Sequence, residues 1–73
     1  MIYGDGRCAV CDRSIPEGRL MCRTHWFKVS STLRRQVLFY FDLWSANACT
    51  LGQLREVQDL AVVQAGGEPR SSP

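Results

Sequence analysis

Four residues in the first third of the chain have the types and spacing to hold a metal. Cys8 and Cys11 are separated by two residues, and Cys22 and His25 repeat that interval ten residues later. Two pairs of soft donors suit a tetrahedral zinc ion, with Zn–S near about 2.3 Å and Zn–N near about 2.0 Å. A C-x-x-C turn aims both thiolates at one point, and the second pair closes the other half of the tetrahedron. The expectation is one structural Zn2+ held by Cys8, Cys11, Cys22 and His25. Three alternatives stand beside it: Cys49 as fourth ligand in place of His25, two disulfides, or a redox C-x-x-C. Disulfides would have to recruit Cys49 from a distant helical region, and a redox motif needs a βαβ setting that this pattern does not offer.

The elements that must position these ligands can be read outward from them. Between the pairs, Pro16 presets φ for a turn and Gly18 tolerates positive φ, so Ile15 and Leu20 are expected to flank a short β-hairpin that returns Cys22 to Cys8 and Cys11. A short helical turn is expected over 24–28, with Trp26 and Phe27 forming an apolar lid on the metal and Tyr3 a further cover. Ser30 and the hydroxyl residues after it read as a helix start, for a helix from about 31 to 46. Its core stripe is Leu33, Val37, Tyr40, Phe41, Trp44 and Ala48. Leu38, Phe39 and Leu43 lie off that stripe, and Asp42 is the one charge between Gln36 and Ser45. A strip involving Phe39 and Leu43 is therefore left over for the core or for another molecule.

Thr50-Leu-Gly-Gln53 has the form of a capping box opening a second helix over about 51–65. Leu54, Val57, Leu60 and Ala61 supply its apolar stripe, expected to pack antiparallel against the first helix. Gly66-Gly67 ends it, and 68–73 reads as a polar, disordered tail. Cys49 is expected to be a buried free thiol. The fold class expected is thus a small, metal-stabilised, mainly α domain over 1–67: a zinc knuckle with a short β-hairpin, then two antiparallel helices.

Size and charge narrow the function classes. At 73 residues an apolar core alone is marginal, and a bound metal is a usual supplement. Thiolates kept for zinc imply a reducing compartment such as the cytoplasm, and no run has the length of a membrane span. Residues 1–35 carry seven basic against three acidic side chains, whereas 36–73 carry two against four. The basic half permits an anionic partner, although scattered solubilising arginines give the same count. With its one histidine committed to the metal, the chain has no free base for a triad, and it has no phosphate-binding glycine loop. A non-enzyme is expected.

The run Cys8-x-x-Cys11-x-x-x-Ile15-Pro-x-Gly18-Arg-Leu-Met-Cys22-x-x-His25-Trp-Phe-x-Val29, followed by Leu33-Arg-x-x-Val37, resembles small zinc-binding proteins encoded by bacteriophages and prophages. The likeness covers roughly residues 8–44. It implies a zinc knuckle leading into an amphipathic helix, often with an aromatic where Trp44 stands, and a phage context. Small phage proteins of this size commonly dock on host machinery. The leading expectation is therefore an interaction module for a host complex such as RNA polymerase, acting on transcription. Arg13, Arg19, Arg23, Arg34 and Arg35 would steer and contact acidic groups, with Phe39 or Leu43 as anchors. Direct nucleic-acid binding through the same arginines, and a structural assembly protein forming a homodimer through the apolar helix, are the other two readings; a monomer or weak homodimer fits the first.

Overall fold

Ser30 and Thr50 each begin a helix by lending a side-chain oxygen to a backbone amide. In the computed structural model, which describes residues 3–68, these caps open α2 (Ser31–Ser45) and α3 (Leu51–Gln64); a single-turn helix, α1 (Arg23–Trp26), precedes them. The Leu33 amide donates to Ser30 Oγ at 3.3 Å. The expected capping box is complete: the Gln53 amide donates to Thr50 Oγ1 at 3.1 Å, and the Thr50 amide to Gln53 Oε1 at 3.0 Å.

Both long helices end in the same way. Asn47 (φ 58°) and Gly66 (φ 98°) adopt the left-handed conformation just past the last turn. The following amides then fold back, Ala48 to the Leu43 carbonyl at 2.7 Å and Gly67 to the Val62 carbonyl at 2.8 Å, so carbonyls that the helix leaves free are satisfied. α2 and α3 run antiparallel: the amide of Ser30, at the start of α2, donates to the Gln64 side chain at the end of α3. Cys49, before α3, donates its thiol to the Tyr40 carbonyl of α2 at 3.5 Å. It is half-buried rather than buried.

The β-hairpin does not form. Among the described residues there is no strand, only an isolated antiparallel bridge between Arg7 and Ser14. Pro16 and Gly18 make a turn as expected, with the Arg19 amide on the Pro16 carbonyl at 3.3 Å. Ile15 and Leu20 do not pair across it; Leu20 instead gives its carbonyl to the Ala9 amide at 3.1 Å. A second reversal is the knuckle itself. The Cys8 amide donates to the Arg13 carbonyl at 2.8 Å, and Asp12 (φ 61°) turns the chain between them. The backbone groups of this segment are taken instead by the chain before and within the knuckle: the Ile15 amide donates to the Gly6 carbonyl, the Gly18 amide to the Gly4 carbonyl, and the Leu20 carbonyl accepts from Ala9.

One core joins the ligand loop to the helices. Cys8, Leu20, Met21, Cys22 and Val29 are buried together with Val37 of α2 and with Leu54, Val57, Ala61, Val62 and Ala65 in or just after α3. Most are small, so the apolar area removed from water is modest for a chain of this length. None of the seven aromatic residues is buried.

The helix faces differ from the expected stripes. On α2, Val37 is buried and Leu33, Tyr40 and Leu43 are half-buried, whereas Phe41 and Trp44 are exposed, as is Ala48, which lies beyond the helix end. The face packed on the core is thus Leu33, Val37 and Tyr40, narrower than the expected stripe. On α3, Val62 takes the inward place expected of Leu60, which is 58% exposed. Residues 69–73, most of the tail expected to be disordered, lie outside the described residues.

Candidate metal centre

The sequence Cys22-Arg-Thr-His25 folds as the opening of α1, with Cys22 in the extended N-cap conformation (ψ 163°) and His25 as its third residue. A cap side chain and the third helical side chain lean toward each other, the relation that a capping box uses. Here it brings Cys22 Sγ within 3.1 Å of His25 Nδ1. The knuckle supplies the other pair: Cys8 Sγ lies 3.7 Å from the same Nδ1, and Cys11 Sγ lies 3.8 Å from Cys22 Sγ.

All four donor atoms fall within 4.8 Å of one another. A tetrahedron with metal–ligand distances of about 2.0–2.3 Å has edges of roughly 3.5–3.8 Å, so two of these separations already match and the Cys22–His25 edge is somewhat short. Three thiolates and an imidazole form a donor set for a soft or borderline metal ion. The residues fit a single structural metal, and Cys49, on the Tyr40 carbonyl, is not part of the cluster.

The site sits at the edge of the core. Cys8 and Cys22 are buried, His25 is half-buried and Cys11 is exposed. The Val10 amide, inside the knuckle, donates to Cys8 Sγ at 3.4 Å. Burial opposes ionisation of Cys8, but backbone amides of Cys11, Cys22 and Val10 outweigh it and lower the thiol from 9.0 to about 6. At Cys11 the Arg13 amide favours the thiolate, yet desolvation and the neighbouring Cys8 and Cys22 sulfurs prevail and push that thiol up. A divalent cation held by these residues would supply positive charge that favours the thiolate form of both Cys8 and Cys11.

Support for the knuckle also comes from α3. A side chain built on Gly67 would meet Val62 Cγ1 at 2.8 Å and Val10 Cγ2 at 3.1 Å. The glycine that completes the C-terminal turn of α3 is therefore pressed onto the loop between Cys8 and Cys11. Sequence reading placed Gly67 at a helix end and missed this role, because no local pattern pairs it with Val10.

The expected lid is only partly present. Trp26 packs against the core, but Phe27 is 58% exposed, with the guanidinium carbons of Arg23 and Arg34 at 5.7 and 5.2 Å from its ring centre. Tyr3 donates its hydroxyl to Asp59 of α3.

No protein-family model matches the chain, and no curated protein or solved structure shows significant similarity to it.

The residues expected to meet a partner differ in exposure. Arg13, Arg19, Arg23 and Arg35 are exposed and Arg34 is half-buried. Phe39 is 59% exposed, whereas Leu43 is half-buried. Sequence reading missed a groove of about 480 Å³ between the ligand loop and α2. Leu20, Met21, Trp26 and Phe27 line one side, and Val37, Leu38 and Phe41 line the other. Arg19 and Arg23 stand in it, and α3 contributes Gln58. The signal in the sequence was the apolar excess of α2.

Proposed function

We propose that this chain is a non-enzymatic, zinc-stabilised interaction module that docks on a protein complex of a host cell, and that it is a phage-encoded regulator of transcription with RNA polymerase as its target. The observation that carries the interaction reading is the exposure of Phe27, Phe39, Phe41 and Trp44 in a chain that buries none of its aromatics. Apolar area of this kind, interleaved with arginine, is characteristic of protein interfaces rather than of inert surface. Zinc is the metal of choice because three cysteines and one histidine at this spacing make a closed structural set. The metal's contribution is a cross-link that holds the ligand loop in one shape.

The chain's own residues supply the rest. The basic N-terminal half raises the rate of encounter with an acidic surface, and the exposed aromatics give area that is dehydrated on docking. The target and the transcriptional role draw on the resemblance of residues 8–44 to phage zinc proteins.

The test is affinity capture from host lysate with zinc-loaded full-length protein, with and without nuclease. A defined host complex retained after nuclease treatment supports the module, and RNA polymerase subunits within it support the transcriptional role. Retention that disappears with nuclease transfers the assignment to direct nucleic-acid binding.

A further inference from the structure

We propose that the groove between the ligand loop and α2 binds an acidic amphipathic peptide segment of a partner protein, taking its apolar side chains on Leu38 and Phe41 and its carboxylates on Arg19 and Arg23. This rests on the interaction reading above and specifies which surface of the module is used and by what chemistry.

Three observations converge on that occupant. The first is the lining: one wall comes from Leu20, Trp26 and Phe27 of the ligand loop and α1, the other from Val37, Leu38 and Phe41 of α2. Leu38 and Phe27 are each 58% exposed, so the groove is an open trough with apolar walls. A small molecule held tightly is enclosed over most of its surface, whereas a trough of this form suits the apolar face of a helix or an extended segment.

The second is charge. Arg19 and Arg23 are among the lining residues and no acidic residue is. Among the described residues the ion pair Arg7–Asp12 lies elsewhere, at the knuckle, and neither groove arginine has a carboxylate within ion-pair distance. An occupant with carboxylates beside an apolar anchor matches this pattern, and a basic or nucleobase-presenting one does not.

The third is pre-organisation. Arg23 and Arg34 both hold their guanidinium groups near the Phe27 ring, at 5.7 and 5.2 Å from its centre. Arg34 Nε is buried there without a hydrogen-bond partner. Of the two, Arg23 lines the groove, and a guanidinium already held against an aromatic ring loses less freedom when a carboxylate arrives and presents donors in the geometry that carboxylates accept. Phe39, on the other flank of α2, does not line the groove.

The test is selection of random peptides of roughly twelve residues displayed against the metal-loaded full-length chain, followed by affinity measurement on a synthetic consensus. The expected result is enrichment of Asp and Glu around Leu, Phe or Trp three or four positions apart. Binding should weaken as salt rises, and by about tenfold or more in Leu38→Asp and in Arg23→Glu, while Phe39→Asp stays within about twofold. Retained metal stoichiometry and helical circular dichroism establish that each variant is folded; Arg23→Glu serves if Leu38→Asp is not. Enrichment of basic peptides, no enrichment, or a consensus indifferent to Leu38→Asp and Arg23→Glu would overturn the proposal. So would self-association of the chain that Leu38→Asp abolishes, since a second copy would then own the groove. Host capture that survives both groove variants would remove the groove and leave the interaction module standing.

Discussion

Cys22 Sγ and His25 Nδ1 stand 3.1 Å apart because one is the cap residue and the other the third residue of the same short helix. Half of the metal centre is thus set by one turn of backbone, and the other half by a knuckle whose Cys8 Sγ receives the Val10 amide. The two halves meet only through tertiary packing. That division determines how the centre should fail.

Replacing a ligand should remove metal and loosen the loop together. Cys22→Ser and His25→Ala are each expected to lower zinc affinity by more than the roughly 10–100-fold that loss of a supporting hydrogen bond costs. Because Cys22 is also a core residue, much of residues 3–29 should lose amide dispersion in NMR spectra. Cys49→Ser should retain one metal per chain by elemental analysis. Loss of stoichiometric metal in that variant would overturn the ligand assignment.

Acid should release the metal, and the sign follows from the thiols. The Cys8 thiol is lowered from 9.0 to about 6, so its contribution to the fold is fully present above about 9 and is lost as pH falls through about 6. Cys11 is raised, so near neutrality its proton must be displaced when metal binds. Zinc affinity should therefore rise with pH across neutrality, with proton release measurable by calorimetry in buffers of different ionisation enthalpy. An affinity independent of pH would contradict a thiolate site.

Gly67→Ala should weaken the centre from a distance. The added methyl group would meet Val62 at 2.8 Å and Val10 at 3.1 Å, pushing on the loop between Cys8 and Cys11. The expected result is a cost of about 1–3 kcal/mol in stability, as for other overpacked sites, together with reduced metal affinity. A variant with lower melting temperature but unchanged metal affinity would show that α3 does not support the knuckle.

Thr50→Ala should act on α3 alone. It removes the acceptor for the Gln53 amide and one half of the capping box, at about 1 kcal/mol. The expected outcome is a lower midpoint of thermal unfolding with metal stoichiometry unchanged, by circular dichroism and elemental analysis.

Removing the metal with a chelator should unfold more than the ligand loop. Cys8 and Cys22 share one core with Val37, Leu54 and Val62, and the side chains of that core are mostly small. Helical circular dichroism is expected to fall as metal is withdrawn and to return on adding zinc. Full helicity without metal would show that the α2–α3 pair is stable alone.

Much of this architecture was legible in the residues because it is local. The C-x-x-C and C-x-x-H spacings, the Ser30 and Thr50 caps, and the glycine stop at 66–67 each depend on chemistry within about one turn of chain. They are recovered in the ligand cluster, in α2 and α3, and in the left-handed Gly66. The candidate ligand cluster and the two long helices were therefore readable from local pattern, whereas the hairpin was not.

Tertiary structure decided what spacing leaves free. α2 is apolar nearly all round, so its periodicity did not determine which side would meet α3; packing put Leu33, Val37 and Tyr40 on the core and left Phe41 and Trp44 exposed. The turn at Pro16–Gly18 did not reveal that Leu20 would bond to Ala9 rather than pair with Ile15. Nor could local pattern show Gly67 against Val10, or a groove walled by residues 20–27 on one side and 37–41 on the other. Each is a meeting of segments far apart in sequence, chosen by which shapes fill space and which buried groups find partners. Such choices depend on the whole chain at once.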